Sequence, residues 1–290
     1  MKKTQQEKYE AFNALHQRQE TFLIPNPWNG GTARILEALG FEALATTSAG
    51  LAFALGCRDS AAALSREAVL ENAREIVAAT DLPVSADLEG GFGRSPQSCV
   101  DTIRLAASVG LVGGSIEDAT GDATDPIFDF DLAVERIRAA AEASRNLPFL
   151  LTARAENFLH GRPDLDDTIR RLQAFEEVGA DVLYAPGLPD LEAIRRVCAA
   201  VSKPVNVVMG LSGKRYSLSE LQDAGVKRIS VGGSFARAAL GAMIRAATEI
   251  RDHGTFDYAD DALPDAEASG YMAQGKTEQR FGAGVLWPGS

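Results

Sequence analysis

The sequence predicts an α/β fold, a (β/α)8 barrel of the TIM type with a leading helix and a C-terminal extension. Two positive observations predict it. Eight short apolar runs alternate with helical patterns along the chain, and turn glycines stand just past the helix ends. A third observation is negative. No GxGxxG follows the first run, so the glycine-rich turn of an open dinucleotide-binding sheet is missing.

In chain order, residues 4–20 read as a polar amphipathic helix. The apolar runs then follow as FLIP (22–25), ALATTS (43–48), PVSADL (83–88), GGSIED (113–118), PFLLTAR (148–154), DVLYAP (181–186), PVNVVM (204–209) and RISVGG (228–233). The intervening helices show their period: Ile169, Leu172, Phe175 and Val178 share one face, and Leu191, Ile194, Val197 and Val201 share another. Ser65, Ser95 before Pro96, Asp164 and Ser217 are the expected N-caps, because their short side chains accept from the first free N–H groups. LGF at 39–41, VGL at 109–111, VGA at 178–180 and AGV at 224–226 place a glycine at each helix end. One domain is expected over 1–290, with the barrel at about 22–252 and the extension at about 253–290. The last helix, SFARAALGAMIRAATEI, is apolar on more than one face, which predicts a homo-oligomer. The tail that follows is expected to lie on a neighbouring subunit.

Composition narrows the function classes. The net charge of -11 argues against nucleic acid and anionic membranes as partners. Cys57, Cys99 and Cys198 form no CxxC, so disulfides and structural zinc are not expected, and a reducing cytoplasm is. No window of about 18 apolar residues is present, and the start resembles no signal peptide. His16 and His253 are expected to be solvated.

In such a barrel the active site forms at the carboxyl ends of the strands. Several runs end there in charge: Asp87 and Glu89 on the third, Glu117 and Asp118 on the fourth, and Arg154 with Glu156 on the fifth. The second ends in Thr46-Thr47-Ser48, and the seventh carries Asn206. Carboxylates gathered without histidine or cysteine suit a hard ion such as Mg²⁺ or Mn²⁺. An arginine fork suits a carboxylate or phosphate. Together they describe a site for a small anionic carboxylate substrate. Cys57, His160 and Tyr184 are further residues within reach of the mouth, and the glycine-rich turn 90–93 suits close backbone approach to a ligand.

Taken in order, SAG at 48–50, RDS at 58–60, ADLEGGFG at 86–93, IED at 116–118 and ARAENFL at 153–159 resemble the isocitrate lyase/phosphoenolpyruvate mutase superfamily, over roughly residues 22–245. The resemblance implies a barrel whose last helix is exchanged between subunits, with tetramers built as dimers of dimers. It implies Mg²⁺ and an α-oxycarboxylate substrate. By position it gives Ser48, Ala49 and Gly50 to the substrate carboxylate, with Arg154 and Asn206 also on the substrate. Asp59, Asp87 and Glu117 fall around the metal, and Arg154, Asp59 and Glu117 form the catalytic set.

Two departures shape the expectation. The loop at 119–126, ATGDATDP, carries no lysine, cysteine or histidine, although the superfamily's lyases place a catalytic cysteine there and its phosphonate enzymes a lysine and an asparagine. The Asp-x-Asp of many members is Ser85-Ala86-Asp87 here. The expected activity is a Mg²⁺-dependent lyase cleaving a C–C bond of a small α-keto or 2-hydroxy (di)carboxylate. The alternatives are a phosphonomutase acting on a P–C bond and a non-catalytic keto-acid-binding barrel.

Overall fold

The computed structural model describes residues 2–59, 63–211 and 213–273. Eight strands run parallel in the order β1-β8-β7-β6-β5-β4-β3-β2. They are β1 (Phe22–Ile24), β2 (Leu44–Ala45), β3 (Val84–Asp87), β4 (Gly113–Glu117), β5 (Leu150–Arg154), β6 (Val182–Tyr184), β7 (Val205–Val208) and β8 (Arg228–Ser230). Each lies within one of the eight apolar runs. The two ends of the sheet meet where the Ala45 N–H donates to the Pro25 carbonyl at 3.0 Å and Asn26 Nδ2 donates to the Thr46 carbonyl at 2.9 Å. A nearly closed α/β barrel of the TIM type results.

The helices are α1 (Gln5–Gln17), α2 (Gly30–Ala38), α3 (Ser48–Ala54), α4 (Arg66–Ala79), α5 (Pro96–Ser108), α6 (Phe130–Ser144), α7 (Leu165–Glu177), α8 (Leu191–Ala200), α9 (Leu218–Asp223), α10 (Ser234–His253) and α11 (Asp265–Met272). The expected caps are all in place: Ser65, Ser95, Asp164 and Ser217 accept from Ala68, Ser98, Asp167 and Glu220. Gly110 and Gly179 follow α5 and α7 at φ 93° and 111°, a region closed to most side chains. The β2–β3 connection departs from the single-helix rhythm. The Thr47 hydroxyl accepts from Gly50 N–H at 3.2 Å and starts the short α3 ahead of α4.

The main core lies between strands and helices, with Ile76, Ile103, Leu111 and Phe175 buried in it. A second cluster closes the barrel at the strand beginnings, where α1 lays Phe12 and Leu15 on Phe22, Val112 and Leu150. A Cβ at Gly113 would meet the Phe12 ring at 2.9 Å, so the plug requires glycine there. His16 belongs to this plug, against the expectation of a solvated histidine. It is buried between the rings of Phe12 and Phe22, with centroids 4.6 and 4.9 Å away. Nδ1 lies 2.8 Å from the Phe12 carbonyl, and Nε2 lies 3.4 Å from Arg228 Nη1. Burial and the Arg228 charge lower its pKa to about 3, so the ring is neutral.

Two features concern the C-terminal region. Helix α10 buries only Ala236 and leaves Met243, Ile244 and Ile250 exposed. Helix α11 lies on the protein's own α2: Arg34 donates to the Met272 carbonyl, and the Met272 side chain sits beside Gly31. The tail expected on a neighbouring subunit thus turns back onto its own barrel as far as residue 273, and residues 274–290 lie outside the described residues.

Candidate active site

Strand register gathers the charges. Glu117 on β4 stands opposite Arg154 on β5, Arg154 opposite Tyr184 on β6, and Tyr184 opposite Asn206 on β7. The Arg154 guanidinium is the hub. Its Nη1 lies 3.0 Å from Asp87 Oδ1, and its Nη2 lies 3.1 Å from Glu117 Oε2 and 2.8 Å from Glu156 Oε1. Nε donates to the same Glu156 oxygen at 2.9 Å. The Tyr184 ring lies 5.0 Å from the guanidinium carbon, within cation–π range. Burial alone would lower the Arg154 pKa. The charges of Glu156, Glu117 and Asp87 outweigh that and hold it well above its ordinary value. Burial pushes the Glu117 carboxyl well up, opposed by Arg154 and reinforced by Glu156, Asp87 and Glu89.

The other expected residues are placed as follows. Ser48 Oγ donates to Asp87 Oδ2 at 3.0 Å, and the Glu89 N–H donates to Asp87 Oδ1 at 3.3 Å. Ser48 and Ala49 open α3, where the first N–H groups have no intrahelical partner. The Gly50 N–H is already taken by Thr47. Asn206 sits within the barrel, accepting from Arg228 Nε at 2.8 Å and donating to Ser230 Oγ at 3.1 Å. Asp59 is exposed at the rim. Partial desolvation and then the Asp87 charge raise its carboxyl while Arg154 opposes them, which puts it in electrostatic reach of the cluster. Cys57 is exposed, and His160 Nε2 stands 4.0 Å from Glu156 Oε2.

Two buried arginines that sequence reasoning missed hold the loops around this hub. Arg136 on α6 donates Nη1 to the Gly93 carbonyl at 2.7 Å and Nη2 to the Gly90 carbonyl, with its guanidinium carbon 4.2 Å from the centre of the Phe128 ring. Packing against the loop after β4 requires glycine in this turn, since a Cβ at Gly90 would meet the Ala119 carbonyl oxygen at 2.8 Å. Arg171 on α7 donates Nη1 to Asp118 Oδ2 and to the Phe128 carbonyl, each at 2.9 Å, and Nε to Asp167 at 2.8 Å. Asp118, next to Glu117, therefore points away from the mouth. Its other oxygen accepts the Glu156 N–H at 2.8 Å, which fixes the backbone that presents Glu156 to Arg154. The signal for both arginines was their place on the inner stripe of an amphipathic helix.

Two cavities open at this end. One of about 70 Å³ runs into the barrel past Thr46, Ser85, Asp87, Arg154, Tyr184 and Asn206. One of about 450 Å³ lies beside it, with Glu89 and Glu117 in its wall.

The donor set fits a hard divalent cation. Among the described residues, no three of His, Cys, Asp and Glu form a ready ligand cluster. Mg²⁺, however, keeps most of its waters and needs only one or two carboxylates. Asp87, Glu117 and Glu156 surround the Arg154 guanidinium, with Glu89 close to Glu117, so acidic groups outnumber the one basic group. Asp87 and Glu117 would hold such an ion, with Asp59 facing it from the rim.

Comparisons with known proteins identify the relatives of the chain. The phosphoenolpyruvate phosphomutase family model matches residues 12–251. A solved structure described as a "putative lyase/mutase" from Burkholderia cenocepacia J2315 is 58% identical, with TM-score 0.90, covering 93% of this chain and 96% of that one. Another from the same organism, described as a "putative phosphonomutase", is 34% identical, with TM-score 0.75, covering 85% of this chain and 98% of that one. "Probable 2-methylisocitrate lyase 1" of Corynebacterium glutamicum is 29% identical over 255 residues, 85% of this chain and 82% of its own length.

The Asp118 network makes a pH prediction. Burial raises the Asp118 carboxyl from 3.8 to about 6, against the Glu156 N–H and Arg171. In that window the folded chain binds more protons than the unfolded chain, so this group's contribution to stability falls as pH rises from about 4 to 6. Asp118→Asn removes the term. Urea unfolding at several pH values should show wild-type stability falling relative to the variant across that window, and a relative rise would contradict the assignment.

Proposed function

The chain belongs to the phosphoenolpyruvate phosphomutase family, and from that premise we propose that it is a Mg²⁺- or Mn²⁺-dependent lyase. Its substrate is a small α-keto or 2-hydroxy (di)carboxylate, cleaved at a C–C bond to leave an enolate-type product. Relatives of the chain include proteins named as lyases and as phosphonomutases. The observation that carries this reading is the Arg154 hub, which holds Asp87, Glu117 and Glu156 together at the strand ends.

Cleavage beside a carbonyl leaves negative charge on the carbonyl oxygen. A bound divalent ion supplies Lewis-acid neutralisation of that charge. The chain's own residues do the rest. Arg154 offsets repulsion among the carboxylates and adds positive potential in a mouth where water is scarce. The α3 N–H groups at Ser48 and Ala49 orient the substrate carboxylate, and Asn206 lines the floor beneath it. Glu117, whose carboxyl burial pushes up against the pull of Arg154, stands beside the substrate head as a ligand for the cation. Tyr184 lines the same small cavity, and burial raises its phenol, so its O–H stays protonated and serves as a hydrogen-bond donor to the substrate. Glu156 is less suited, because Arg154 holds its Oε1 from both Nε and Nη2.

The loop after β4 is braced by its own contacts. Thr120 N–H bonds to the Pro126 carbonyl at 3.0 Å, and Asp125 lies 3.9 Å from Arg94 and 3.8 Å from Arg162. It brings no cysteine, lysine or histidine to the mouth. A phosphonomutase is the second reading, favoured by the 34% identical relative of that description.

The exposed apolar residues of α10 support a homo-oligomer, a dimer of dimers whose α10 is exchanged between subunits. No helix among the described residues is long and apolar enough to cross a membrane. The unpaired cysteines suit a reducing cytoplasm.

Two measurements test these proposals. In D₂O with Mg²⁺, pyruvate should lose its C3 protons in a protein-dependent manner by NMR, and much more slowly with Arg154→Ala or Asp87→Ala. Tight binding with no exchange and no cleavage of any α-oxyacid would favour an inert binding barrel instead. Light scattering at micromolar concentration should give a tetramer mass, and a monomer would refute the proposed assembly.

A further inference from the structure

The smaller cavity has room for little more than an oxyacid head, whereas the larger one is roomier and more apolar in its lining. It lies between the start of α4, the turn after β3 and the loop after β4. Leu64, Phe92, Ala119 and Phe128 give it an apolar lining, and Leu64, Ala119 and Phe128 are buried there. On the side of the hub its wall is acidic, at Glu89 and Glu117. Arg94 stands at its rim, its guanidinium carbon 5.2 Å from the centre of the Phe128 ring. A volume of about 450 Å³ is that of a complete small-ligand site, well beyond the needs of a three-carbon acid.

Phe92 adds a second observation. Its φ is 56°, in the left-handed region that a bulky side chain rarely occupies. Glycine would serve the turn without strain, as it does at Gly91 with φ 74°. The chain instead keeps a phenyl ring there, partly packed on the core and partly lining the cavity. Strain of this kind persists where the side chain is used.

We propose that this cavity is a specificity pocket for the substrate's substituent: it takes an aliphatic branch carried on the carbon next to the oxo carbon, with Leu64, Phe92 and Phe128 as its determinants. The inference rests on the reading of the mouth as an α-oxyacid site. Glu117 lines this cavity and pairs with Arg154, which lines the smaller one, so the two spaces lie side by side across that ion pair.

The test is calorimetric titration of the full chain, with Mg²⁺ present, by straight-chain 2-oxo acids from pyruvate to 2-oxooctanoate. Affinity should rise roughly three- to fourfold per added methylene and level off once the pocket is full. Phe92→Gly, which suits the backbone while removing the ring, and Leu64→Ala should each flatten that slope. Pyruvate binding followed by a flat series would overturn the pocket and leave the mouth reading standing. No binding by any member, pyruvate included, would overturn the mouth reading and the pocket with it. An unchanged slope in both variants would overturn the assignment to this cavity.

Discussion

The mouth depends on one ion cluster, the Arg154 guanidinium inside a ring of carboxylates. Asp87, Glu117 and Glu156 each bring an oxygen within 3.1 Å of it. Carboxylates brought this close in a partly desolvated space repel one another, and a lone buried charge costs far more than a paired one. The β4–β5 register, with Glu117 opposite Arg154, fixes this pairing before any ligand arrives. The cluster remains acidic in balance, and that residual charge gives a divalent cation a reason to bind.

Two further arginines extend the same device outward. Arg136 reaches from α6 to the carbonyls of the turn after β3, and Arg171 reaches from α7 to Asp118 and the Phe128 carbonyl. The loops that shape the mouth are therefore held from the helical layer by charge-assisted hydrogen bonds, which are stronger than neutral ones. Asp118 shows the division of labour between neighbours: Glu117 faces Arg154, while Asp118 faces away and fixes Glu156. Adjacent residues on a strand point to opposite faces, so one acid serves the site and the other its frame.

Much of this was legible in the sequence because it obeys local rules. Eight apolar runs became eight strands, and Ser65, Ser95, Asp164 and Ser217 became caps, since each depends only on residues a few positions away. The acids at strand ends were legible because a barrel gathers those ends by topology. What stayed hidden depended on distant partners. The helical stripe places Arg136 and Arg171 on the inner face, but their acceptors, 43 and 53 residues away, are set only by the fold. His16 read as solvated because nothing local shows that α1 plugs the barrel. An ion pair of Arg154 with Glu117 or Glu156 was legible from their places at neighbouring strand ends, whereas the simultaneous third pairing with Asp87, two strands away, was not.

The central claim is that the Arg154-centred carboxylates form a single divalent-cation site, and Mn²⁺ binding followed by electron paramagnetic resonance tests it most directly. The account predicts about one bound Mn²⁺ per chain, displaced by Mg²⁺ and lost in Asp87→Asn, in the absence of any substrate. No bound Mn²⁺ at millimolar concentration, or binding unchanged in Asp87→Asn, would contradict it.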